Sequence, residues 1–572
     1  MKTKFKNTYW LTQINQQYKF VLCAIILGLL SVSCEKELEE EVFSAFTGDN
    51  FYTDVASAEL GLFGVYDVLG TEDLYGRGYL LYYHTSTDQE RYWRQGRGQD
   101  DDLLSNYQIQ ESNAWVGRVW SRFYDGINRV NLLIDRVIPL RDQAEENQIT
   151  SDLDAYNTVL GDAYFLRAFM YFQLVKNWGD VPLRLESDIT LADLQIERSP
   201  KVNVYQQIES DMLKAIPLLP NASQVSTPGR INKGAAQAIL ARIYLTWAGH
   251  PIQDTSKYEK AAEQAWAVIS SGEHELNSVI ENPAVGAPFD HPFPEVFKNL
   301  SENVYDLKES MWEIHFSYIG DDRFDASTVG VWHGITQHTR STFKRGAPRR
   351  HPLPTFLASF EADDTARRDW SIAQFEINSS DNFIAETNEL TYGVGKFRRY
   401  LIPTLSPNNN YDVMNWPIVR YADVLLMLAE SVNETLENGG ALPGGISLSS
   451  AYDAINQVRR RARMLDPNSP DVSVDLTGGA GETFRQQIRN ERSWELCFEN
   501  QRRPDLVRWG ILEETVRQAG VDLAADGVDV AADYFPAAEV QSKHVLFPIP
   551  FAAEISQNPA ILNTDPTNNG YR

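Results

Sequence analysis

Two short segments combine aromatic rings with planar polar side chains, which together can recognise a sugar. Residues 92–97 (YWRQGR) and 331–334 (VWHG) both lie in stretches without helical periodicity. An aromatic ring packs on the C–H face of a pyranose, while guanidinium, imidazole or amide groups bridge neighbouring hydroxyls. We therefore predict a ligand site in these stretches. The candidate contacts are Trp93, Trp332, Tyr92, Arg94, His333 and Asn106.

Motifs for catalysis or metal binding are missing from the sequence. It lacks His-Glu-x-x-His, Gly-x-Ser-x-Gly, the phosphate-binding Gly-x-x-x-x-Gly-Lys and Cys-x-x-Cys, and its nine histidines have no metal-ligand spacing. With 78 Asp and Glu, two carboxylates at glycosidase distance are expected by chance in any fold. We predict no enzyme activity, no metal and no cofactor. A surface glycoside hydrolase is the first alternative.

The densest group of charges lies between residues 489 and 508. Arginines and glutamates recur there at three- and four-residue steps, a spacing at which side chains on one helix pair with each other. Arg also binds carboxylates with two parallel hydrogen bonds. We interpret this group, with Arg420, Asp423 and Glu430, as a structural ion-pair network.

The N-terminus is typical of an exported, lipid-anchored protein. Four lysines precede an apolar run at 20–30, which is shorter than the roughly 20 residues of a membrane span. Small residues then lead to Cys34 and an acidic stretch at 35–41. This order predicts a signal peptide over residues 1–33 and lipidation of Cys34. Because Ser31 stands where such signals usually carry an aliphatic residue, an ordinary secretory signal is the alternative.

Composition narrows the range of partners. The 572-residue chain has a formal charge of −26, and loss of residues 1–33, with four Lys and no acid, makes it −30. Such acidity argues against nucleic acid as a partner and against electrostatic docking on anionic lipid.

After processing, Cys497 is the single cysteine with a free thiol, so no disulfide can form within the chain.

Helical periodicity dominates the chain outside its middle. Apolar residues recur at three- and four-residue steps over 115–137, 162–178, 233–247 and 421–432. The 162–178 stretch is apolar on two faces, which predicts a helix between two neighbours. Such helix pairs are similar to tetratricopeptide packing. Between about residues 277 and 415 the helical periodicity is lost, and prolines, glycines and aromatic residues cluster. This composition is typical of a loop-rich binding region.

Several segments, in order, resemble those of the SusD/RagB family of outer-membrane nutrient-binding lipoproteins from Bacteroidetes. They cover most of residues 34–572. The segments are 167–183 (RAFMYFQLVKNWGDVPL), 229–245 (GRINKGAAQAILARIYL), 420–434 (RYADVLLMLAESVNE), 455–462 (INQVRRRA), 488–499 (IRNERSWELCFE), 502–510 (RRPDLVRWG) and 547–550 (FPIP).

The resemblance implies a mainly α fold, with tetratricopeptide-like helix pairs and a loop-rich ligand-binding portion. It implies an N-terminal portion over 34–255 and a C-terminal portion over 256–572, packed into one fold. It also implies a lipoprotein on the cell surface that binds a glycan or another nutrient and passes it to a TonB-dependent, SusC-like transporter. The second alternative is an adhesive or protein-binding scaffold.

Overall fold

Long helices form the frame of the protein. The computed structural model describes residues 48–94, 97–188, 194–227, 229–278, 291–317, 326–403, 405 and 408–572. The long helices are Val55–Gly70, Ala114–Glu146, Thr150–Trp178, Lys201–Ala215, Lys233–Ala248, Lys257–Ser271, Tyr421–Glu437, Leu448–Ala462, Glu482–Glu495 and Leu512–Ala525. The short helices are Gly48–Phe51, Gly78–Tyr82, Asp100–Ser105, Glu295–Glu302, Val329–Trp332, Pro354–Ala358, Thr365–Ser371, Arg502–Arg508, Val530–Asp533 and Pro536–Glu539.

Side-chain caps define where several of these helices begin. Asp54 accepts a hydrogen bond from the Ser57 amide at 2.8 Å, which stabilises the first turn of the Val55–Gly70 helix. Asn113 accepts from the amide of Trp115, and Asn232 from the amide of Ala235. These caps satisfy amides that have no partner inside their own helix.

Most of the long helices pack against the next long helix in the chain. Ala114–Glu146 packs on Thr150–Trp178, which packs on Lys201–Ala215. Lys233–Ala248 packs on Lys257–Ser271, where fully buried alanines on both helices permit close approach. Later in the chain, Tyr421–Glu437 packs on Lys257–Ser271 and on Leu448–Ala462. This arrangement confirms the predicted mainly α fold with tetratricopeptide-like helix pairs.

The Thr150–Trp178 helix is buried on both predicted faces. Phe165, Phe169 and Phe172 on one side are at most 2 % exposed, and Ala168 and Tyr171 on the other are fully buried. The helix therefore lies between neighbours, as its two apolar stripes predict.

The strands are short and lie mainly in the loop-rich middle of the chain. They pair as four two-stranded antiparallel sheets, β1–β3, β2–β8, β4–β7 and β5–β6, among the described residues. Their bounds are Glu90–Tyr92 (β1), Ser310–Ile314 (β2), Arg350–Pro352 (β3), Ile372–Ala373 (β4), Phe375–Ile377 (β5), Phe383–Ala385 (β6), Gly393–Val394 (β7) and Trp416–Arg420 (β8).

The charged group at 489–508 is a buried ion-pair network, as predicted. Glu495 is fully buried and accepts from Arg461 at 2.7 Å and from Arg420 at 3.1 Å. Arg492 pairs with Asp423 at 2.7 Å and with Asp505 at 2.9 Å. These contacts join the C-terminal helices to β8 and to the helix that follows it.

Cys497 lies inside the core beside this network. Its side chain is fully buried, its thiol donates to the Trp494 carbonyl at 3.3 Å, and burial raises its pKa to about 11. A protonated, enclosed thiol is a packing group, which agrees with the sequence interpretation.

The chain divides into two units, residues 1–51 and residues 52–572. Only 48–51 of the first unit belong to the described residues, so the predicted signal peptide and Cys34 lie outside them. The predicted division of the rest at residues 255 and 256 stays a prediction. Among the described residues, no helix combines the length and apolar composition that a membrane span requires.

Candidate binding site

Strand pairing brings the two predicted aromatic segments together. In the β1–β3 register Tyr92 lies opposite Arg350. Just beyond it, the Trp93 amide donates to the Arg349 carbonyl at 2.8 Å, and the Arg349 amide donates to the Trp332 carbonyl at 2.7 Å. The backbone of Arg349 therefore joins Trp93 to Trp332, although they are far apart in the sequence.

The guanidinium of Arg349 packs against both indole rings. Its Cζ lies 4.1 Å from the ring centroid of Trp93 and 4.8 Å from that of Trp332. Arg94 lies 4.5 Å from the Trp93 ring, and Arg77 lies 4.2 Å from the Trp332 ring. Cations over aromatic faces attract the ring electrons and hold the side chains in place. We call Trp93, Trp332 and Arg349 the indole–arginine cluster.

The two tryptophans differ in exposure. Trp93 is half-buried, whereas Trp332 is 8 % exposed. The indole Nε1 of each is enclosed without a hydrogen-bond partner, as is Nε of Arg349. Buried donors usually have partners, so three unpaired donors in one cluster are unusual. Trp93 is the better placed of the two rings to stack on a ligand.

Tyr92 and Asn106 support the Trp93 segment from the interior. Tyr92 is fully buried and its hydroxyl donates to Asp101 at 2.6 Å. The Asn106 amide is also fully buried and donates to the Arg94 carbonyl at 2.9 Å and to Asp102 at 2.6 Å. The prediction that these two side chains contact a ligand does not fit their burial.

His333 is likewise part of the core. It is fully buried, its Nε2 lies 2.7 Å from the Phe498 carbonyl oxygen, and its ring packs on Phe397. Burial holds the pKa of His333 well below its usual range, so the ring is neutral. It contributes packing under Trp332, and we do not retain it as a ligand contact.

Arg94 lies at the edge of the cluster. Its guanidinium packs on Trp93 and hydrogen-bonds to Gln99, and it lies 3.7 Å from a carboxylate oxygen of Asp101. Arg94 therefore lies beside the half-buried ring of Trp93, and its predicted contact with a ligand stays a prediction.

Close backbone contacts position Trp332. Val331 donates to Asp412 at 3.0 Å, which holds the short Val329–Trp332 helix. At Gly334 a Cβ atom would lie 2.4 Å from the Phe397 carbonyl oxygen, closer than any side chain tolerates. Glycine is therefore required immediately after the Trp332–His333 pair.

A cavity lies elsewhere on the protein. It measures about 640 Å³ and is lined by residues of the Glu482–Glu495 and Leu512–Ala525 helices and of the segment around Phe356. Its aromatic side chains, Phe356 and Trp494, are only 3 % and 7 % exposed. It therefore offers less aromatic surface for stacking than Trp93 does, despite its volume.

The described residues contain no group of three or more His, Cys, Asp or Glu arranged to hold a metal ion. The sequence analysis missed Arg349 as a site residue. The available signal was the run of basic residues around it, but its contact with Trp93 depends on strand pairing that the sequence does not reveal.

Comparison with known proteins identifies the family. The family model described as "SusD family" matches residues 257–571, more than half of the chain. The chain belongs to the SusD family. A second model, described as "Starch-binding associating with outer membrane", matches residues 78–245 of this SusD-family protein. The predicted SusD/RagB membership is therefore confirmed.

Whole-length relatives agree with this assignment. SusD-like protein P25 of Formosa agariphila is 26% identical over 589 residues, covering 96% of this chain and 99% of its own. The crystal structure of a SusD homologue from Bacteroides thetaiotaomicron has a TM-score of 0.78 and 28% identity, covering 90% of this chain and 97% of its own. A laminarin-binding SusD-like protein shares the fold, with a TM-score of 0.63 and 21% identity over 89% of this chain and 98% of its own.

Proposed function

We propose that this protein binds a glycan at the indole–arginine cluster and passes it to a TonB-dependent, SusC-like transporter in the outer membrane. The observation that carries the proposal is the meeting of Trp93 and Trp332 at Arg349, with one ring half-buried. A rigid aromatic ring beside guanidinium donors suits the C–H faces and hydroxyls of a sugar. The backbone of Arg349 and the guanidinium groups of Arg349 and Arg94 hold the Trp93 ring in place, so little ordering energy is lost on binding.

Family membership supports the same role. The model that matches residues 78–245 describes starch binding and association with the outer membrane. A protein with the same fold binds laminarin. Together with the absence of catalytic motifs from the sequence, this favours a binding protein over a hydrolase. The Cys34 lipid would then hold the body on the outer face of that membrane.

Affinity electrophoresis in gels that contain plant, algal, fungal or host polysaccharides tests the site. We expect at least one polysaccharide to retard the wild-type protein and Trp93→Ala to weaken its binding about fivefold, because a stacked ring contributes roughly 1 kcal/mol. Trp266→Ala removes another half-buried indole, from the Lys257–Ser271 helix, and should bind as the wild type does. Unchanged retention of Trp93→Ala would contradict the assignment.

The two alternatives give different results. A glycoside hydrolase would generate new reducing ends from one of these polysaccharides. An adhesive scaffold would co-purify with an adhesin or host protein, and never with a β-barrel transporter. If our proposal is correct, the protein generates no new reducing ends from any polysaccharide and co-purifies with a β-barrel transporter.

A further inference from the structure

Two segments free of acidic residues meet at the cluster, in a protein of net charge −26. Residues 91–97 contain three arginines, and residues 338–351 contain four arginines and one lysine. The first segment includes β1 residues and the second includes β3 residues, so antiparallel pairing places basic chain beside basic chain. Such concentration of positive charge in an acidic protein indicates a local function.

Carboxylates neutralise only part of this charge. Arg350 pairs with Glu90, Arg91 lies 3.9 Å from Asp533, and Arg94 lies 3.7 Å from Asp101. Among the described residues, no carboxylate lies within ion-pair distance of the remaining five cations. These are Arg97, Arg340, Lys344, Arg345 and Arg349.

Arg349 is the most informative of the five. Its guanidinium is half-buried against two indoles, and its Nε is enclosed without a hydrogen-bond partner. Burial lowers the pKa of Arg349, as expected for a cation that lacks a close anion. A cation in this position costs solvation energy that an anionic ligand would restore.

The other cations lie in the two segments that contain Trp93 and Arg349. Gln337 and Gly346 pair through their backbones at 3.0 Å, which closes the loop 338–345 between Trp332 and Arg349. Arg340 on this loop is exposed, and Arg97 is exposed beside the Trp93 ring, 6.0 Å from its centroid. We call residues 338–345 the basic loop. The basic loop is thus joined to the half-buried Arg349 by only three residues of chain.

We propose that the ligand of this site is an acidic polysaccharide, whose carboxylate or sulfate groups pair with Arg349, Arg97 and the basic loop while a sugar ring stacks on Trp93. This inference rests on the proposed function and names its substrate class. Guanidinium groups bind carboxylate and sulfate oxygens with paired, charge-assisted hydrogen bonds. A neutral glycan would leave these guanidinium and ammonium groups without an anionic partner, so we expect it to bind more weakly than an acidic one.

Pairs of polysaccharides that differ only in their acidic groups test whether charge contributes to binding. We would measure binding of the wild-type protein to polygalacturonate and to its methyl ester, and to carrageenan and its desulfated form. We expect at least one acidic polymer to bind about tenfold or more tightly than its neutral counterpart, and this preference to weaken as salt rises. The pair that shows the preference identifies the carboxylate or the sulfate as the recognised group.

Variants locate the preference. Arg349→Gln should weaken binding of the acidic polymer about tenfold, whereas Arg141→Gln, on the surface of the Ala114–Glu146 helix, should not change it. The double change Arg97→Gln with Arg340→Gln alters only exposed side chains and should also weaken binding without affecting folding. Circular dichroism of each variant checks the fold.

Failures of the two proposals are distinguishable. Equal affinity for the acidic and neutral polymers of both pairs, with loss of binding in Trp93→Ala, would overturn this inference and leave the proposed function standing. An acidic preference that survives Arg349→Gln and the double change would also overturn it. Absence of binding to any polysaccharide would overturn both.

Discussion

Arg349 links two distant parts of the chain through one side chain and its backbone. Its carbonyl and amide bond to Trp93 and Trp332, and its guanidinium packs against both rings. Single residues of this kind set the geometry of a site because several neighbours depend on them. The buried side chains of Tyr92, His333 and Asn106 pack on the interior side of the cluster.

Glu313 is a second residue with an unusual environment. It is 4 % exposed on β2, accepts from Asn415 at 2.9 Å, and has a second oxygen without a partner. Burial raises the pKa of Glu313 to about 7. The folded protein therefore keeps this carboxyl protonated at pH values where the unfolded chain has already lost the proton.

We predict that Glu313→Gln alters the pH dependence of stability. The raised pKa means that the wild type loses stability as pH rises from about 4.5 to about 7, by roughly 3 kcal/mol. The neutral amide of the variant does not ionise and avoids this loss. The free energy of unfolding of Glu313→Gln, measured with urea, should therefore rise relative to that of the wild type between pH 5 and pH 8. The same change at exposed Glu275 is the control, and an identical pH profile for Glu313→Gln and wild type would contradict the prediction.

At the scale of elements, ion pairs connect helices that the hydrophobic pattern alone would leave free to slide. Glu495, at the end of the Glu482–Glu495 helix, binds Arg461 of the Leu448–Ala462 helix and Arg420 of β8. It also lies 3.1 Å from Arg367. Burial opposes ionisation of Glu495, but these three cations outweigh it and lower its pKa to about 2.

Glu495→Gln should therefore destabilise the fold strongly at pH 7. It removes the carboxylate that Arg461, Arg420 and Arg367 share, so that their other buried partners, such as Glu309 and Asp364, no longer balance the positive charge. Loss of one member of a buried ion-pair network costs about 3–5 kcal/mol in comparable cases. The depressed pKa means that wild-type stability from this group is present above about pH 4.5 and is lost as pH falls toward 2. Urea unfolding at pH 7 measures the loss. Glu275→Gln, in a pair that is more than 60 % exposed, should change stability by less than about 1 kcal/mol; a similarly small effect at Glu495 would contradict the argument.

The whole molecule combines an acidic composition with the basic segments that meet at the proposed binding site. The net charge of −26 keeps the body away from anionic lipid and nucleic acid, while β1–β3 pairing concentrates arginines at the cluster. In the proposed role, anchoring must therefore come from the N-terminal lipid and not from surface charge.

Cys34→Ala tests this anchor. If Cys34 carries the lipid, the variant should show no labelling with a fatty-acid analogue and should leave the membrane fraction, because it lacks the acyl chains that bind the bilayer. Cys23→Ala, within the predicted signal peptide, is the matched control and should remain labelled. Continued membrane attachment of Cys34→Ala would contradict lipidation at this residue.

The sequence by itself determined the helical frame and the family. Apolar residues at three- and four-residue steps specify helices locally, and cap residues such as Asp54 specify where they start. Helical spacing also indicated an ion-pair network at 489–508, although it gave only local pairs such as Arg508–Asp505, and the partners of Glu495 and the Asp423 partner of Arg492 lie elsewhere in the chain. The helices and these local pairs depend on residues that are near one another in the chain.

Only the tertiary structure decided which aromatic residues are exposed enough to serve in the candidate site. Tyr92 and Trp93 are neighbours in sequence, yet successive side chains of an extended chain point in opposite directions, so Tyr92 is buried and Trp93 half-buried. The approach of Arg349 depends on β1–β3 pairing, in which Arg350 meets Glu90 across 260 residues. Such long-range register depends on the packing of the whole frame, which local patterns do not encode.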